Sequence, residues 1–85
     1  MDKKEQIIEA YEEYGAEIAF LPPEFDSALL GSVHSFAGPY VAYSMAGIIK
    51  VLISQGLTEE EALEYYNFNM AGGYFEGTPV YIEDF

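Results

Sequence analysis

Cysteine, tryptophan and arginine are all absent from this chain of 85 residues. Without cysteine, neither a disulfide framework nor a thiolate metal site can form. Because Lys3, Lys4 and Lys50 are the only basic residues, the chain cannot build the cationic surface that binds phosphate backbones or anionic lipids. The composition therefore disfavours direct binding to nucleic acid or to a membrane surface.

A long apolar run is also missing. The longest apolar stretch, residues 45–53, is interrupted by Lys50 and is far shorter than the roughly 20 residues that cross a bilayer. Residues 1–5 begin a charged amphipathic segment and not the apolar region of a signal peptide. We therefore predict a cytoplasmic protein with no membrane association.

Acidic and aromatic residues are abundant. Fifteen carboxylates against three lysines give a formal net charge of −12, and the chain contains eight tyrosines and six phenylalanines. This charge favours a basic partner, including proteins that normally bind nucleic acid, although acidity also serves solubility alone. The aromatic residues exceed what a small core holds, so we expect one aromatic patch to contact another chain.

The clearest local signals lie at the junction of two predicted helices. Gly56 can take the left-handed conformation that ends a helix, and Thr58 with Glu61 forms the pattern of a capping box. The negative charges of residues 59–61 stabilise the positive end of the new helix dipole. These signals predict one helix at residues 45–55, capped by Ser44, and a second at residues 59–70.

The remaining segments predict an α+β fold in a single domain, residues 1–85. Residues 1–15 form an amphipathic helix, and Pro22–Pro23 excludes regular structure from the connector at residues 16–27. Residues 28–85 form the core, which comprises a short β-hairpin at residues 28–36 and 40–43, the antiparallel helix pair, and an edge strand at residues 80–82.

Burial on the two central helices follows from their apolar positions. The helix at residues 45–55 is apolar nearly all round, which predicts that it is buried in the core or covered by another subunit. Gly47 within it marks a close contact. The inner face of the helix at residues 59–70 is predicted to consist of Ala62, Leu63, Tyr66 and Met70.

Four short motifs lie between residues 25 and 82: FDSALLG (25–31), GLTEEEA (56–62), FNMAGGY (68–74) and GTP (77–79). Together they resemble a family of short bacteriophage and prophage proteins that has no assigned activity. That family tends to carry a Gly-Gln-Pro-Pro-like turn and an acidic residue before its central helix, where this chain has residues 37–40 and Ser44. The resemblance implies a phage setting and the cytoplasm of a host cell.

No catalytic or metal-binding constellation is recognisable. His34 is the only histidine, and Ser35 beside it points to the opposite face of a strand, so a triad with Ser32 or Asp26 has no support. The glutamates of residues 59–64 lie on a capped helix and not on the irregular loop that calcium requires. We therefore predict a protein that is not an enzyme and has no cofactor and no metal.

The leading hypothesis is a small acidic interaction protein that binds and modulates or inhibits a basic host protein. A nucleic-acid-handling or defence enzyme is the favoured target, with the acidic surface acting as a DNA mimic. One alternative is a homo-oligomer that binds a signalling nucleotide, and another is a minor structural or assembly component of a phage particle. We also expect the chain to form a homo-oligomer. Residues predicted to contact the partner are Glu12, Glu13, Glu60, Glu64, Tyr65, Asn69 and Tyr74.

Overall fold

The computed structural model describes residues 2–12, 18–35, 38–71 and 79–84. It confirms the α+β fold, with an N-terminal helix, a β-hairpin, two central helices and a C-terminal strand. The α-helices are α1 (Lys3–Glu12), α2 (Met45–Ser54) and α3 (Glu59–Tyr66), and the strands are β1 (Leu29–Ser35), β2 (Gly38–Ser44) and β3 (Val80–Ile82). A 3-10 helix (Pro23–Ala28) precedes β1, and a π-helical turn (Asn67–Ala71) continues α3.

The three strands form one sheet in the order β1-β2-β3. Strands β1 and β2 pair antiparallel, as the predicted hairpin requires, and β3 pairs with β2 in parallel. A register shift between Leu29 and Gly31 places Leu29 opposite Tyr43 and Gly31 opposite Ala42. Because of this irregularity Leu29 is buried in the core, whereas Leu30 is 44% exposed.

The connector before β1 is more regular than its prolines predict. Pro23 opens the 3-10 helix, because a fixed φ and a missing N–H suit the first helical position. The carbonyl of Pro22 accepts a hydrogen bond from the Phe25 N–H at 2.9 Å, and the Phe25 side chain is buried. The prediction that both prolines exclude regular structure was therefore wrong at Pro23.

Helix α2 begins at a double cap. Ser44 Oγ accepts a hydrogen bond from the Gly47 N–H at 2.9 Å, which confirms the predicted cap. Asp84 reaches the same helix end, where its carboxylate accepts from Ser44 Oγ at 2.6 Å and from the Ala46 N–H at 3.0 Å. These bonds lower the pKa of Asp84, the one from Ser44 most strongly. The segment after β3 is thereby fixed to the start of α2.

Helix α2 is not buried on all sides. Its Ile48 and Leu52 side chains lie in the core, where α2 packs against the 3-10 helix, α3 and β2. Ile53 is 42% exposed and Lys50 is exposed, because no described element covers that side. Ile53 is therefore not buried within the chain, and its cover by another subunit stays a prediction.

Helix α3 begins and packs largely as predicted. Thr58 and Glu61 form both hydrogen bonds of the capping box, and Gly56 ends the preceding turn with φ +106°. Ala62, Tyr66 and Met70 are buried against the core, and the Tyr66 ring meets Tyr81 of β3 edge-on at 5.6 Å. Leu63, also predicted on the inner face, is instead 40% exposed, because it lies about 100° around the helix from Ala62.

Helix α1 packs against β1 through one side. Ile7 is buried and Tyr11 is half-buried, with Tyr11 Oη 3.2 Å from Ser32 Oγ. Residues 13–15 of the predicted helix lie outside the described residues. Within the part of the chain that the structure describes, no helix is long and apolar enough to cross a bilayer.

Candidate interaction surface

The side of α3 that faces away from the core carries both charge and aromatic surface. Glu60 and Glu64 are one helical turn apart and both are exposed, opposite the buried side of the helix. Tyr65 is 42% exposed, and Phe68, four positions after Glu64, is 80% exposed. We call Glu60, Glu64 and Tyr65 of α3, together with Phe68 of the π-helical turn that continues it, the α3 outer face.

Phe68 is the large apolar side chain of the α3 outer face that is most exposed to solvent. Burying a phenylalanine side chain contributes about 1.5–3 kcal/mol, and a side chain that is 80% exposed forgoes most of it. Phe68 lies in the π-helical turn that follows α3, and α3 itself is capped at its start by Thr58. A contact that covers Phe68 would recover the lost burial, as aromatic anchors do at protein interfaces.

Four glutamates, at positions 59, 60, 61 and 64, give α3 a high density of negative charge along its length. The helix has eight residues, so it is about 12 Å long and carries four glutamates, or one per about 3 Å. One strand of DNA carries one phosphate per about 3.4 Å along its axis. Hydrogen bonds from Thr58, first its backbone N–H and then its side chain, lower the pKa of Glu61.

No ion pair involves these glutamates among the described residues. The one salt bridge there joins Lys4 Nζ to Asp26 at 3.6 Å, far along the chain from α3. Lys3 Nζ donates to the carbonyl of Leu29 at 3.3 Å. Two of the three lysines are thus engaged near the N-terminus, and the negative field of α3 extends into solvent.

The structure brings together some of the residues predicted to contact a partner. Glu60, Glu64 and Tyr65 share the α3 outer face, and Asn69 is exposed one turn beyond Tyr65. Glu12 is also exposed but ends α1, which packs mainly against β1. Glu13 and Tyr74 lie outside the described residues.

Phe68 is missing from the residues predicted to contact a partner. Its spacing contained the signal, because positions 60, 64 and 68 follow one another at intervals of four and lie opposite the apolar positions 62, 66 and 70. A phenylalanine in line with glutamates, on the polar side of an amphipathic helix, indicates an aromatic group directed at solvent.

The other candidate sites gain little from the structure. His34 is exposed on β1, and Ser32 Oγ lies beside Tyr11 Oη. In the described ranges, no group of three or more histidine or acidic side chains is placed to hold a metal ion. An open depression of about 360 Å³ between α1 and β1 is lined by Gln6, Tyr11 and Leu30 among others, with Lys3 as its single charged group.

Comparisons with known proteins return nothing similar: no family model, no curated protein and no solved structure matches this chain significantly. Functional arguments therefore depend on the chemistry of the α3 outer face and on the distribution of charge along the chain.

Proposed function

We propose that this protein is a non-enzymatic interaction protein whose α3 outer face binds a basic surface of another protein. The observation that carries the proposal is the 80% exposure of Phe68 beside Glu60 and Glu64. Solubility alone would explain the glutamates, but it would not favour an exposed phenylalanine on the same helix face.

The carboxylates and aromatic rings of the α3 outer face indicate which groups a partner surface must carry. Carboxylates one turn apart accept charge-assisted hydrogen bonds from arginine or lysine. The rings of Tyr65 and Phe68 offer faces on which an arginine guanidinium stacks by a cation–π interaction. An arginine-rich site that normally holds a phosphate backbone provides both kinds of group, and the average negative charge per length of α3 is close to that of one nucleic-acid strand.

The resemblance to phage and prophage proteins supports a bacterial host protein as the target. A nucleic-acid-handling or defence enzyme fits best, because its active surface is basic. In this role α3 occupies the nucleic-acid site of the enzyme and inhibits it by competition. The chain needs no catalytic group of its own for this activity.

The test compares two variants that remove equal charge. Glu60→Gln/Glu64→Gln neutralises the α3 outer face, and Glu5→Gln/Glu9→Gln neutralises two exposed carboxylates of α1. Tagged wild-type protein and both variants are used to capture partners from bacterial lysate at low and at high salt. We expect one basic protein that the wild type and the α1 variant retain, and that the α3 variant and high salt release.

A second step separates mimicry from simple attraction. The captured protein is purified and its binding to a DNA duplex is measured with increasing amounts of each variant. We expect the wild type to displace DNA and Phe68→Ser to displace it less, although the net charge of that variant is unchanged. Equal release of the partner by the α1 and α3 variants, or binding of partner and DNA together, would refute the proposal.

A further inference from the structure

The acidic residues are confined to the two ends of the chain. All fifteen lie within residues 2–26 and 59–84, and residues 27–58 contain Lys50 as their one charged residue. That central segment contains β1, β2 and α2. A surface built from this segment opposes fewer carboxylates of two chains of charge −12 than a surface built from either end, although α1 with its glutamates packs beside β1.

The two edges of the sheet differ in their protection. Edge strands are usually kept from pairing by short length, charge or proline. Strand β3 has three residues and lies between Pro79 and the acidic pair Glu83 and Asp84. Strand β1 has seven residues, none charged and none proline, and no described strand pairs with its outer edge.

The register shows which groups β1 directs outward. His34 lies opposite Pro39, which has no N–H, so this pair cannot exchange two backbone hydrogen bonds. Because hydrogen-bonded and non-bonded pairs alternate in an antiparallel ladder, Ser32 and His34 turn their N–H and C=O groups away from β2. No backbone hydrogen bond from another described element reaches these groups.

The side chains next to these groups are apolar and accessible. Val33 is 37% exposed and lies between Ser32 and His34, which are also exposed. Leu30 is 44% exposed at the register shift. An uncharged strand that exposes aliphatic side chains, and whose outward backbone groups have no backbone partner among the described residues, is a template for a further strand.

We propose that the outer edge of β1 pairs with β1 of a second copy of this chain. The pairing is antiparallel about a two-fold axis at Val33, so the two three-stranded sheets become one continuous sheet. Ser32 then exchanges backbone hydrogen bonds with His34 of the partner subunit. Val33 faces Val33 of the partner subunit in a non-bonded pair, in which side chains approach most closely.

The distribution of charge favours a second copy of the chain, and not a basic protein, as the partner of the β1 edge. A basic protein is attracted to the acidic ends of the chain and gains little from an uncharged edge. Two copies are repelled by their ends and meet best where carboxylates are fewest. Added salt should therefore strengthen the dimer by screening repulsion, whereas it weakens a complex between α3 and a basic partner. Failure of either proposal thus leaves the other testable.

The experiment is analytical ultracentrifugation of the full chain over a range of protein and salt concentrations. We expect a dimer whose dissociation constant falls as salt rises. Val33→Lys places two ammonium groups opposite each other and should raise that constant by more than about tenfold, the effect of 1.4 kcal/mol. Ile53→Lys makes the same change at an equally exposed position on α2 and should leave the dimer intact.

A second pair of variants tests the backbone itself. His34→Pro removes one outward N–H, and His34→Ala removes the same side chain but keeps the N–H. We expect the proline variant to be monomeric and the alanine variant to dimerise, with circular dichroism spectra that match the wild type. A wild type that is monomeric throughout, or a dimer that Ile53→Lys dissociates and Val33→Lys does not, would overturn the proposal.

Discussion

Replacing Gly47 with alanine tests the contact between α2 and the 3-10 helix. A Cβ atom at this position would lie 2.9 Å from Ala28 Cβ and 3.1 Å from Ala28 Cα. Alanine would gain about 0.5–1 kcal/mol of helix propensity, but crowding of a packed site costs about 1–3 kcal/mol. Ala28 is 1% exposed and its Cα belongs to the backbone, so the site cannot relax by rotating a side chain.

We therefore expect Gly47→Ala to lower the free energy of unfolding by about 1 kcal/mol, the difference between these two effects. For a domain of this size the change lowers Tm by roughly 4–8 °C. Urea denaturation followed by circular dichroism measures the free energy, and a thermal melt measures Tm.

The double variant Ala28→Gly/Gly47→Ala is the control, because it moves one methyl group across the contact. We expect it to be more stable than the sum of the single changes by about 0.5–3 kcal/mol, as coupled neighbours are. If Gly47→Ala is as stable as the wild type, or if the two changes are additive, the close contact does not decide the stability of α2.

Three further changes test caps and polar contacts. Asp84→Asn should destabilise the fold at neutral pH, because the hydrogen bond from Ser44 holds the pKa of Asp84 below its ordinary value. The stability that the Asp84 carboxylate provides is present above the pKa of Asp84 in the unfolded chain. This stability is lost as the pH falls through the lower pKa of Asp84 in the folded protein. Urea midpoints of wild type and variant should therefore converge in acid, and a constant difference would contradict the argument. Thr58→Ala should lower the free energy of unfolding by about 1 kcal/mol because it removes the cap of α3, whereas Thr58→Ser should lower it less. Equal urea midpoints for the two variants would contradict this role of the cap. Tyr43→Phe removes the hydroxyl that accepts a hydrogen bond from the Leu21 N–H at 3.0 Å. This change should lower the free energy of unfolding by about 1 kcal/mol, as measured by chemical denaturation. A midpoint unchanged by this deletion would mean that water replaces the hydroxyl.

Local signals identified the helix boundaries well. Ser44 and Thr58 cap α2 and α3 through residues three positions away, and Gly56 ends the intervening turn. Such motifs are complete within a few residues, so the sequence contains all the information they need. The hairpin and the final strand were also predictable, because their apolar runs are bounded by turn residues.

Exposure was harder to predict than secondary structure, because it depends on which elements meet. Leu63 was expected on the inner face of its helix, and Ile53 was expected to be buried in the core or covered by another subunit. Both are more than one-third exposed within the chain. Both residues lie at the margin of an apolar stripe. Whether such a residue is buried or exposed depends on where the neighbouring helices lie, and the periodicity of the sequence does not specify that placement. Phe68 was not assigned to either face of the helix, although an exposed aromatic patch was expected.

The parallel pairing of β2 with β3 has a kinetic consequence. Ala42 pairs with Val80, which lies 38 positions later, whereas Ser35 and Gly38 close the hairpin across three. With a loop-closure entropy that grows as the logarithm of length, the β3 contact costs about 2 kcal/mol more to initiate than the hairpin. The β1–β2 hairpin and the α2–α3 pair should therefore form early in folding, and β3 should join last. In native-state hydrogen exchange the amides of β3 should open before those of β2, which makes the C-terminal strand the first part of the sheet to leave.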